Sequence, residues 1–345
     1  FDTEGLVVST GCWKKRQSDT RMLDKLVDAY DQVDENLRVH DPAFPQPDDL
    51  RSVVVMGQTG YGMEDVGDSK DSAGSELIVA AVDKDDSRPL WVTCWGGCNT
   101  VAQALWKVRA ERSSDELAEF VSKLHIYDIL GQDDAGTWIA KSFPEITYIR
   151  ATQVYAWQPS DSWVDTHIQS HGPLGAAYPD PPYAYEGDSP AIFHLIPNGL
   201  HDPQVVDQGG WGGRFDAEKK HGVRGMSCMD GEDAEYDPYS MYTEATESIS
   251  RWQEAIQNDF EARMDWSVTS DFADANHHPV AVLNNDITRQ VLETSAENGS
   301  LVELSAAGSS DPDGDKVSYK WWYFQEPGSY GGDITIRHFQ SQAAE

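Results

Sequence analysis

Short apolar segments alternate with segments of helical periodicity through the first two thirds of the chain. Between the apolar segments, hydrophobic positions repeat at i, i+3, i+4 and i+7, as one face of a helix requires. The predicted strands span residues 6–10, 90–95, 126–130 and 146–151, and the predicted helices begin at caps Ser18 or Asp19, Asp48, Ser72, Asn99 and Ser113. Near-continuous apolar strands alternating with helices predict an α/β fold, with a mostly parallel sheet flanked by helices.

Polar segments that contain glycine or aromatic residues follow three of the predicted strands, at residues 9–13, 95–99 and 132–134. Ligands of open parallel sheets bind at the carboxyl ends of the strands, so we expect these segments to form one rim. Trp13, Trp95 and Gln132 are candidate substrate-binding residues there. Asp133 and Asp134 are candidate catalytic carboxylates, because paired carboxylates suit glycoside chemistry. The alternative is that this pair caps a helix and interacts with its dipole.

Residues 160–237 are rich in proline and glycine and predict long loops on a rigid scaffold, where functional walls are common. Within them, His201 and Asp202 precede a glycine-rich run around Trp211. An imidazole beside a carboxylate, on backbone that can approach a ligand closely, suits metal binding and glycosyl chemistry. The alternative is a helix end followed by a surface loop. Further candidate substrate-binding residues in this region are Glu186, Asp188, Asn198, Trp211 and Arg214.

A long helix is predicted over residues 243–265, and the pattern changes to period two after it. The segments 280–283, 301–304 and 317–324 predict strands separated by turns, as in a small immunoglobulin-like β-sandwich. We therefore divide the chain into an α/β domain at residues 1–275 and an all-β domain at residues 276–345. Trp321 and Trp322 point to opposite faces of the predicted last strand, so one belongs to the core and one is free for a ligand.

Two features of the C-terminal part allow metal binding. His277 and His278 are either ligands or solvated polar residues at the domain junction. The aspartates between Asp311 and Asp315 either hold calcium between strands or form a tight turn without an ion.

The charge of the chain narrows the possible partners. Its 345 residues carry 59 acidic and 26 basic side chains, for a net charge of −33. Such a surface repels nucleic-acid phosphates and anionic membranes, so neither is an expected partner. The hydrophobic fraction of 39% is ordinary for a globular protein. The charge fits a secreted or salt-adapted protein.

Cysteine usage and the chain ends complete the sequence picture. Four cysteines lack zinc-binding spacing, and one disulfide is compatible with them. No apolar run is long enough to predict a membrane span. The chain starts at Phe1 and opens almost directly into a strand, so we expect that its N-terminus has been cut; the sandwich has too few strands, so we expect truncation at the C-terminus too.

Several long motifs together resemble one known family. These are VVSTGCW (7–13), WVTCWGGCNTVAQALW (91–106), GQDDAGTW (131–138), SHGPLG (170–175), EGDSP (186–190) and NGLHDP…GGWGGR (198–214). They resemble the cellulose-binding proteins that have a nucleoside hydrolase-like N-terminal domain. The segment SAAGSSDPDGDKVSYKWW (305–322) resembles the immunoglobulin-like C-terminal domain of that family. The resemblance covers nearly the whole chain.

The more distant similarity to nucleoside hydrolases implies a calcium ion that holds the ribose hydroxyls and the attacking water. Asp202 matches the aspartate ligand of a late His-Asp-Pro motif in those enzymes. His201 matches a position that assists the leaving base in some of them. The turn at residues 96–100 is similar to one that supplies a backbone carbonyl ligand, here near Asn99. The aspartate cluster that supplies the remaining ligands would lie before Phe1, so the predicted calcium site is incomplete in this chain.

Three functions follow as hypotheses. The first is a nucleoside hydrolase-like glycosyl hydrolase that acts on a sugar or N-glycosyl conjugate, with or without the assistance of calcium. The second is a non-catalytic, extracellular carbohydrate- or cellulose-binding protein, which twelve Trp and fourteen Tyr favour through stacking on sugars. The third is a structural surface-assembly protein, for which a homo-oligomer is expected. The expected partner in the first two is a carbohydrate or nucleoside-like small molecule.

Overall fold

A computed structural model describes residues 2–16, 18–152, 157–181, 185–219, 241 and 247–345. The predicted α/β fold of parallel sheets flanked by helices is confirmed. The strands are β1 (Leu6–Val8), β2 (Val54–Met56), β3 (Leu90–Cys94), β4 (Leu124–Ile129) and β5 (Thr147–Ala151). Within the described residues, no helix combines the length and apolar character needed to cross a bilayer.

The parallel strands form two hydrogen-bonded sheets rather than the one sheet that the pattern predicts. β1 pairs with β2, and β3, β4 and β5 pair in that order. We did not predict β2 from the sequence, because its apolar run is short and follows a helix without a turn signal. The two sheets meet where the backbone N–H of Gly97 donates to the carbonyl of Thr10 at 2.9 Å.

Helices surround both sheets. They are α1 (Arg21–Asp31), α2 (Asp34–His40), α3 (Pro47–Ser52), α4 (Ala73–Val82), α5 (Asn99–Glu111), α6 (Ser114–Lys123), α7 (Ala135–Ser142), α8 (Asp161–Val164), α9 (Gly172–Ala176), α10 (Pro190–Phe193), α11 (Glu247–Ser250) and α12 (Gln253–Val268). The predicted long helix is thus interrupted at Arg251 and Trp252, and its first residues lie outside the described ones.

The helix caps were predicted with mixed success. Ser72 caps α4, and Ser113 forms a capping box with Glu116 at α6, as predicted. The other predicted caps are wrong. α1 begins after Thr20 without a side-chain cap, and α3 begins after Gln46. α5 includes Asn99, whose side chain bonds elsewhere, so the cap comes from another part of the chain.

A fully buried ion pair crosses the strands β4 and β5. Asp128 lies opposite Arg150 in the register, and Arg150 Nε donates to Asp128 Oδ2 at 2.8 Å. The Tyr148 hydroxyl donates to the same oxygen at 2.5 Å, and the Gly131 N–H donates to Asp128 Oδ1 at 3.2 Å. A Cβ at Gly131 would lie 2.1 Å from Arg150 Nη1, so only glycine lets the loop approach the guanidinium. The loop after β4 is therefore anchored to buried charge.

The predicted immunoglobulin-like sandwich is not confirmed. In the C-terminal part, the named strands are the two-residue β6 (Leu304–Ser305) and β7 (Ala343–Ala344), which pair antiparallel. Residues 317–324 do not form the predicted strand. Large apolar side chains such as Ile287, Leu301 and Ile334 remain exposed here. A sandwich requires a facing sheet over such side chains, and the described residues supply none.

His277 is buried in the described structure, so it is not a solvated junction residue. Its Nδ1 contacts Asp313 Oδ1 at 2.8 Å, and its Nε2 contacts His40 Nδ1 at 2.9 Å. His40 Nε2 donates to the Thr269 carbonyl at 3.0 Å. The His277 ring is therefore enclosed between the His40 ring and the Asp313 carboxylate.

The aspartate turn that contains Asp313 has the geometry of a tight turn. Asp311 Oδ1 accepts the backbone N–H of Asp313 at 2.9 Å and that of Asp315 at 3.3 Å. These bonds, with the contact between Asp313 and His277, favour the alternative without an ion. They also join the C-terminal part to α2.

Two buried imidazoles, those of His194 and His201, lie near the half-buried ring of His125 in β4. His194 is fully buried, its Nε2 donates to the Pro203 carbonyl at 3.0 Å, and its ring centroid lies 4.9 Å from that of His201. Burial, with the neighbouring rings of His201 and His125, lowers the pKa of His194 to about 3. Burial also lowers the pKa values of His201 and His125. These residues contribute neutral rings to the core.

Breaking the buried ion pair should destabilise the protein strongly. We expect Asp128→Asn to lower the free energy of unfolding by about 3–5 kcal/mol, because Arg150 then keeps a buried charge without a counter-charge. Asp83→Asn breaks the more exposed Asp83–Arg112 pair and should cost less than about 1 kcal/mol. Urea unfolding of both variants measures the difference; equal losses would show that the buried pair has no special role.

Stability should fall as the pH falls below about 6.5, the pKa of an unfolded histidine. Above that pH both states hold neutral imidazoles. Below it the histidine binds a proton in the unfolded chain, whereas His194 in the folded protein stays neutral. The contribution of His194 to the free energy of unfolding therefore falls by about 1.4 kcal/mol per pH unit until the pH reaches the pKa of His194 in the folded protein. His194→Gln, which keeps a donor for Pro203, should therefore show a shallower loss between pH 7 and 5 in urea unfolding. Parallel stability profiles for the two proteins would contradict this assignment.

Candidate functional site

Three segments at the carboxyl ends of β1, β3 and β4 meet at one rim, as the pattern predicts. Gln132 Nε2 donates to the Trp95 carbonyl at 2.9 Å. The Tyr61 hydroxyl donates to the Gln132 carbonyl at 2.6 Å. A Cβ built on Gly11 would lie 3.0 Å from Gln132 Oε1 and 3.3 Å from the Gly96 Cα, so the first segment packs closely on the other two. Gln132 is buried, and it acts here as a fixed tie between loops.

Two tryptophans of this rim are exposed to solvent. Trp13 is 64% exposed and Trp95 is 51% exposed. Trp13 lies in a turn that two backbone bonds between Gly11 and Lys14 close. Trp95 directly follows β3, and Gln132 holds its carbonyl. Both indoles are thus presented on restrained backbone, and neither is needed to fill the core.

A polar layer lies beneath the rim, between the two sheets. Asn99 is fully buried; its Oδ1 accepts from Ser9 Oγ at 3.0 Å, and its Nδ2 donates to the Gly60 carbonyl at 2.8 Å. Thr10 Oγ1 donates to the same carbonyl at 2.7 Å. The Asn99 side chain therefore joins β1, the loop at Gly60 and α5. Its amide oxygen is occupied by a protein donor.

Asp133 caps helix α5 from the loop after β4. Its carboxylate accepts the backbone N–H groups of Cys98 at 3.1 Å, Asn99 at 3.2 Å and Ala135 at 3.1 Å. Burial, with the nearby carboxylates of Asp128 and Asp134, raises its pKa to about 7, although the N–H groups of Cys98 and Ala135 work against that rise. A Cβ on Gly97 would lie 2.1 Å from Asp133 Oδ2, so the turn before α5 needs glycine at that point. This geometry supports the capping alternative for Asp133.

Asp134 is more accessible than Asp133. Its Oδ1 accepts the backbone N–H of Met63 at 2.8 Å, which ties the loop after β4 to a 3-10 helix at Gly62–Asp65. The catalytic roles predicted for Asp133 and Asp134 stay predictions.

Glu186 and Asp188 lie together just before α10. Tyr178 and Ser189 donate from their hydroxyls to the Glu186 carboxylate. Burial raises the pKa of Glu186. Burial, followed by the charge of Glu186, raises the pKa of Asp188 to about 6. Glu186 has a φ of 56°, in the left-handed region that residues with a Cβ rarely occupy. A carboxyl whose pKa is raised towards neutrality is suited to general acid catalysis.

His201 and Asp202 point in different directions. His201 is buried, its Nε2 donates to the His194 carbonyl at 3.0 Å, and its Nδ1 is without a partner among the described residues. Asp202 is exposed, and its Oδ1 accepts the Gln204 N–H at 2.9 Å. The carbonyl bond fixes the hydrogen on His201 Nε2, so its free Nδ1 is an acceptor enclosed by the core.

The described structure does not bring the residues offered as calcium ligands into contact with each other. Asn99 is buried with its side chain bonded to Ser9 and Gly60, whereas Asp202 is exposed, and no described contact joins Asn99 and Asp202. Calcium takes six to eight oxygen ligands. A search of the described residues finds no group of three or more His, Cys, Asp or Glu that could hold a metal ion. The calcium site stays a prediction.

The remaining candidates are distributed over the loops before α11. Asn198 Oδ1 accepts the Leu200 N–H at 3.1 Å. Trp211 packs on Phe193, with ring centroids 6.5 Å apart, and contributes to a cluster around α12. Hydrogen bonds from its own backbone N–H and from Arg251 lower the pKa of Glu326, and the charges of Arg251 and Arg214 add to this effect. Arg214 therefore lies near the C-terminal part.

Sequence reasoning missed several residues that shape the rim. Asp128 and Arg150 could have been found, since each is the one charged residue in an otherwise apolar or aromatic strand core. Ser9, Thr10 and Gly60 gave no signal, because their bonds to Asn99 depend on how two separate sheets approach each other. Tyr178 and Ser189 likewise reach Glu186 only through loop folding.

Comparisons with known proteins agree with this fold. Residues 1–215 match the family described as cellulose-binding Sde182, nucleoside hydrolase-like domain, and residues 301–345 match the family described as cellulose-binding protein Sde0182, C-terminal domain. No curated protein matches the chain.

A solved structure is similar over almost the whole chain. It is described as a nucleoside hydrolase-related hypothetical protein from Saccharophagus degradans that is associated with carbohydrate metabolism. The two share 58% sequence identity and a TM-score of 0.96, over 99% of this chain and 83% of that one. With its first 215 residues matched and this similarity along its length, the chain belongs to the cellulose-binding family with a nucleoside hydrolase-like domain.

Proposed function

We propose that this protein binds a β-linked glucan outside the cell, and that Trp13 and Trp95 form the binding surface. The observation that carries the proposal is the exposure of two indoles, 64% and 51%, on one rim of a parallel-sheet scaffold. A pyranose ring presents a face of C–H groups, which packs on an indole while its hydroxyls stay in water. The rim at the carboxyl ends of the strands is the usual place for a ligand in open parallel sheets.

The backbone beneath both indoles is restrained, which lowers the entropy lost on binding. The Gly97 N–H bonds to the Thr10 carbonyl, and Gln132 bonds to the Trp95 carbonyl. Binding surfaces gain affinity when their contact residues are already ordered on rigid elements. The buried ties under the rim support that role better than proton transfer.

The net charge of the protein favours an uncharged ligand, and its disulfide favours a location in an oxidising compartment. A net charge of −33 opposes anionic polymers but has little effect on an uncharged glucan. Cys12, next to Trp13, is disulfide-bonded, and disulfides persist mainly outside the cytosol. The family description, which refers to cellulose binding, is consistent with both points.

Removal of both rim indoles should weaken adsorption to cellulose. We expect Trp13→Ala/Trp95→Ala to raise the apparent Kd for insoluble cellulose by about tenfold or more, since buried aromatic contacts dominate such interfaces. The control is Phe339→Ala, which removes another half-exposed aromatic ring far along the sequence. Depletion from the supernatant measures adsorption. Wild-type binding in the double variant, or no adsorption of the wild-type protein, would contradict the proposal.

A hydrolase is the second candidate, and the Glu186–Asp188 pair is the specific observation that favours it. Asp188 would protonate the leaving-group oxygen of a glycosyl bond, because its raised pKa keeps a proton available near neutral pH. Tyr178 and Ser189 would hold the Glu186 carboxylate in place, where its negative charge would stabilise the positive charge that develops on the sugar. This assignment differs from the acids Asp133 and Asp134 that the sequence favours.

The hydrolase candidate has a test of its own. If Asp188 is the acid, kcat/KM on an aryl glycoside or nucleoside should fall as the pH rises through about 6, where Asp188 loses its proton. Asp188→Asn should lower the rate by about 100-fold or more, whereas Asp161→Asn, at an exposed aspartate of the same region, should not. A pH profile from about 4 to 8 for the three proteins provides the measurement. Equal rates in both variants, or no turnover by any of the three, would remove this candidate and leave glucan binding unaffected.

A further inference from the structure

A second aromatic surface lies at the junction between the helices α11 and α12 and the C-terminal part. A cavity of 560 Å³ opens there, lined by Arg251, Trp322, Tyr323, Phe324, Gln325 and Glu326. Its volume falls in the range of small-molecule binding sites. Trp322 is 54% exposed at this cavity, whereas its neighbour Trp321 is half-buried and donates from Nε1 to the Ser341 carbonyl at 2.8 Å. The expectation that only one of the two indoles is free for a ligand therefore selects Trp322.

The polar groups of the cavity are fixed in place. Arg251 Nη2 lies 2.8 Å from Glu326 Oε1. The guanidinium carbon lies 4.8 Å from the Phe324 ring centroid and 5.8 Å from that of Trp252. The Phe324 and Trp252 rings are themselves in edge contact, with centroids 6.2 Å apart. Arg251 is thus held by one ion pair and two aromatic rings before any ligand arrives.

These polar groups can still form hydrogen bonds with the hydroxyl groups of a ligand. A guanidinium has five N–H donors, and the ion pair with Glu326 accounts for only part of them. Gln325 is exposed, and its side-chain amide offers both a donor and an acceptor. Donors and acceptors beside an indole face suit a ring with an apolar face and equatorial hydroxyls.

We propose that this cavity is a second glucan-binding subsite, in which Trp322 stacks on a pyranose ring and Arg251, Gln325 and Glu326 bind its hydroxyls. The choice of a neutral glucan rests on the function proposed above. The location does not, since it follows from the cavity and the exposed indole. The C-terminal part then takes a direct share in binding.

Binding stoichiometry tests this subsite separately from the rim. Isothermal titration of the full chain with cellotetraose should show two bound molecules per chain. Trp322→Ala should lose one of them and keep the rim site, and Trp13→Ala/Trp95→Ala should lose the other. Gln325→Ala, which removes only an exposed amide, should weaken the C-terminal site by about tenfold. Phe339→Ala, in the same part of the chain but outside the cavity lining, should bind as the wild type does.

Each result separates the two proposals. One wild-type site that disappears in the rim variant and persists in Trp322→Ala would overturn the second subsite and leave the rim proposal standing. One site that disappears only in Trp322→Ala would support the second subsite and overturn the rim. No binding of cellotetraose by the wild-type protein would overturn both. An unchanged unfolding midpoint in urea shows that each variant is folded.

Discussion

The ion pair between Asp128 and Arg150 is the constraint on which the rim depends. Both side chains are fully buried, so each must keep its partner, and the register of β4 and β5 sets them opposite each other. The pair also draws in the loop after β4 through the Gly131 N–H. That loop carries Gln132 and Asp133, and these two residues hold the end of β3 and the start of α5. The buried ion pair in the sheet therefore also fixes the conformation of this loop at the surface.

This dependence explains why the Asp133 carboxylate is engaged within the protein. A catalytic carboxyl needs a free oxygen that can reach a substrate proton. Asp133 instead directs its carboxylate at three backbone N–H groups and closes off the start of α5. The exposed parts of the rim are indoles, whose contribution is packing area. The carboxyls with proton-transfer properties, Glu186 and Asp188, are placed before α10, with partners from other loops.

The sequence was sufficient for the elements whose signals are local. Apolar strands such as β3 and β5 were predicted within one residue at each end, and the capping box at Ser113 is confirmed. The incorrect predictions concern positions where a residue that is distant in the sequence makes the contact expected of a neighbouring residue. Asn99 looked like a cap, but Asp133 satisfies that helix start from another loop, which frees the Asn99 amide for Gly60. His277 looked solvated, but His40 and Asp313 enclose it.

The C-terminal strands were predicted from period-two patterns. The same patterns explain which side chains remain exposed when no facing sheet covers them. Alternation predicts that one set of side chains is free of the core, and Trp322 is a member of that set. In a complete sandwich such a residue would be an ordinary surface tryptophan. Here the segment lies against α11 and α12 through Arg251 and Glu326, so the indole borders a cavity instead of open solvent.

Two modest stacking surfaces on one chain would engage a repeating polymer together, because binding at one raises the effective concentration of the polymer at the other. Under the proposed function, a repetitive ligand such as a glucan chain would contact both surfaces at once, which a small, single-unit ligand would not do.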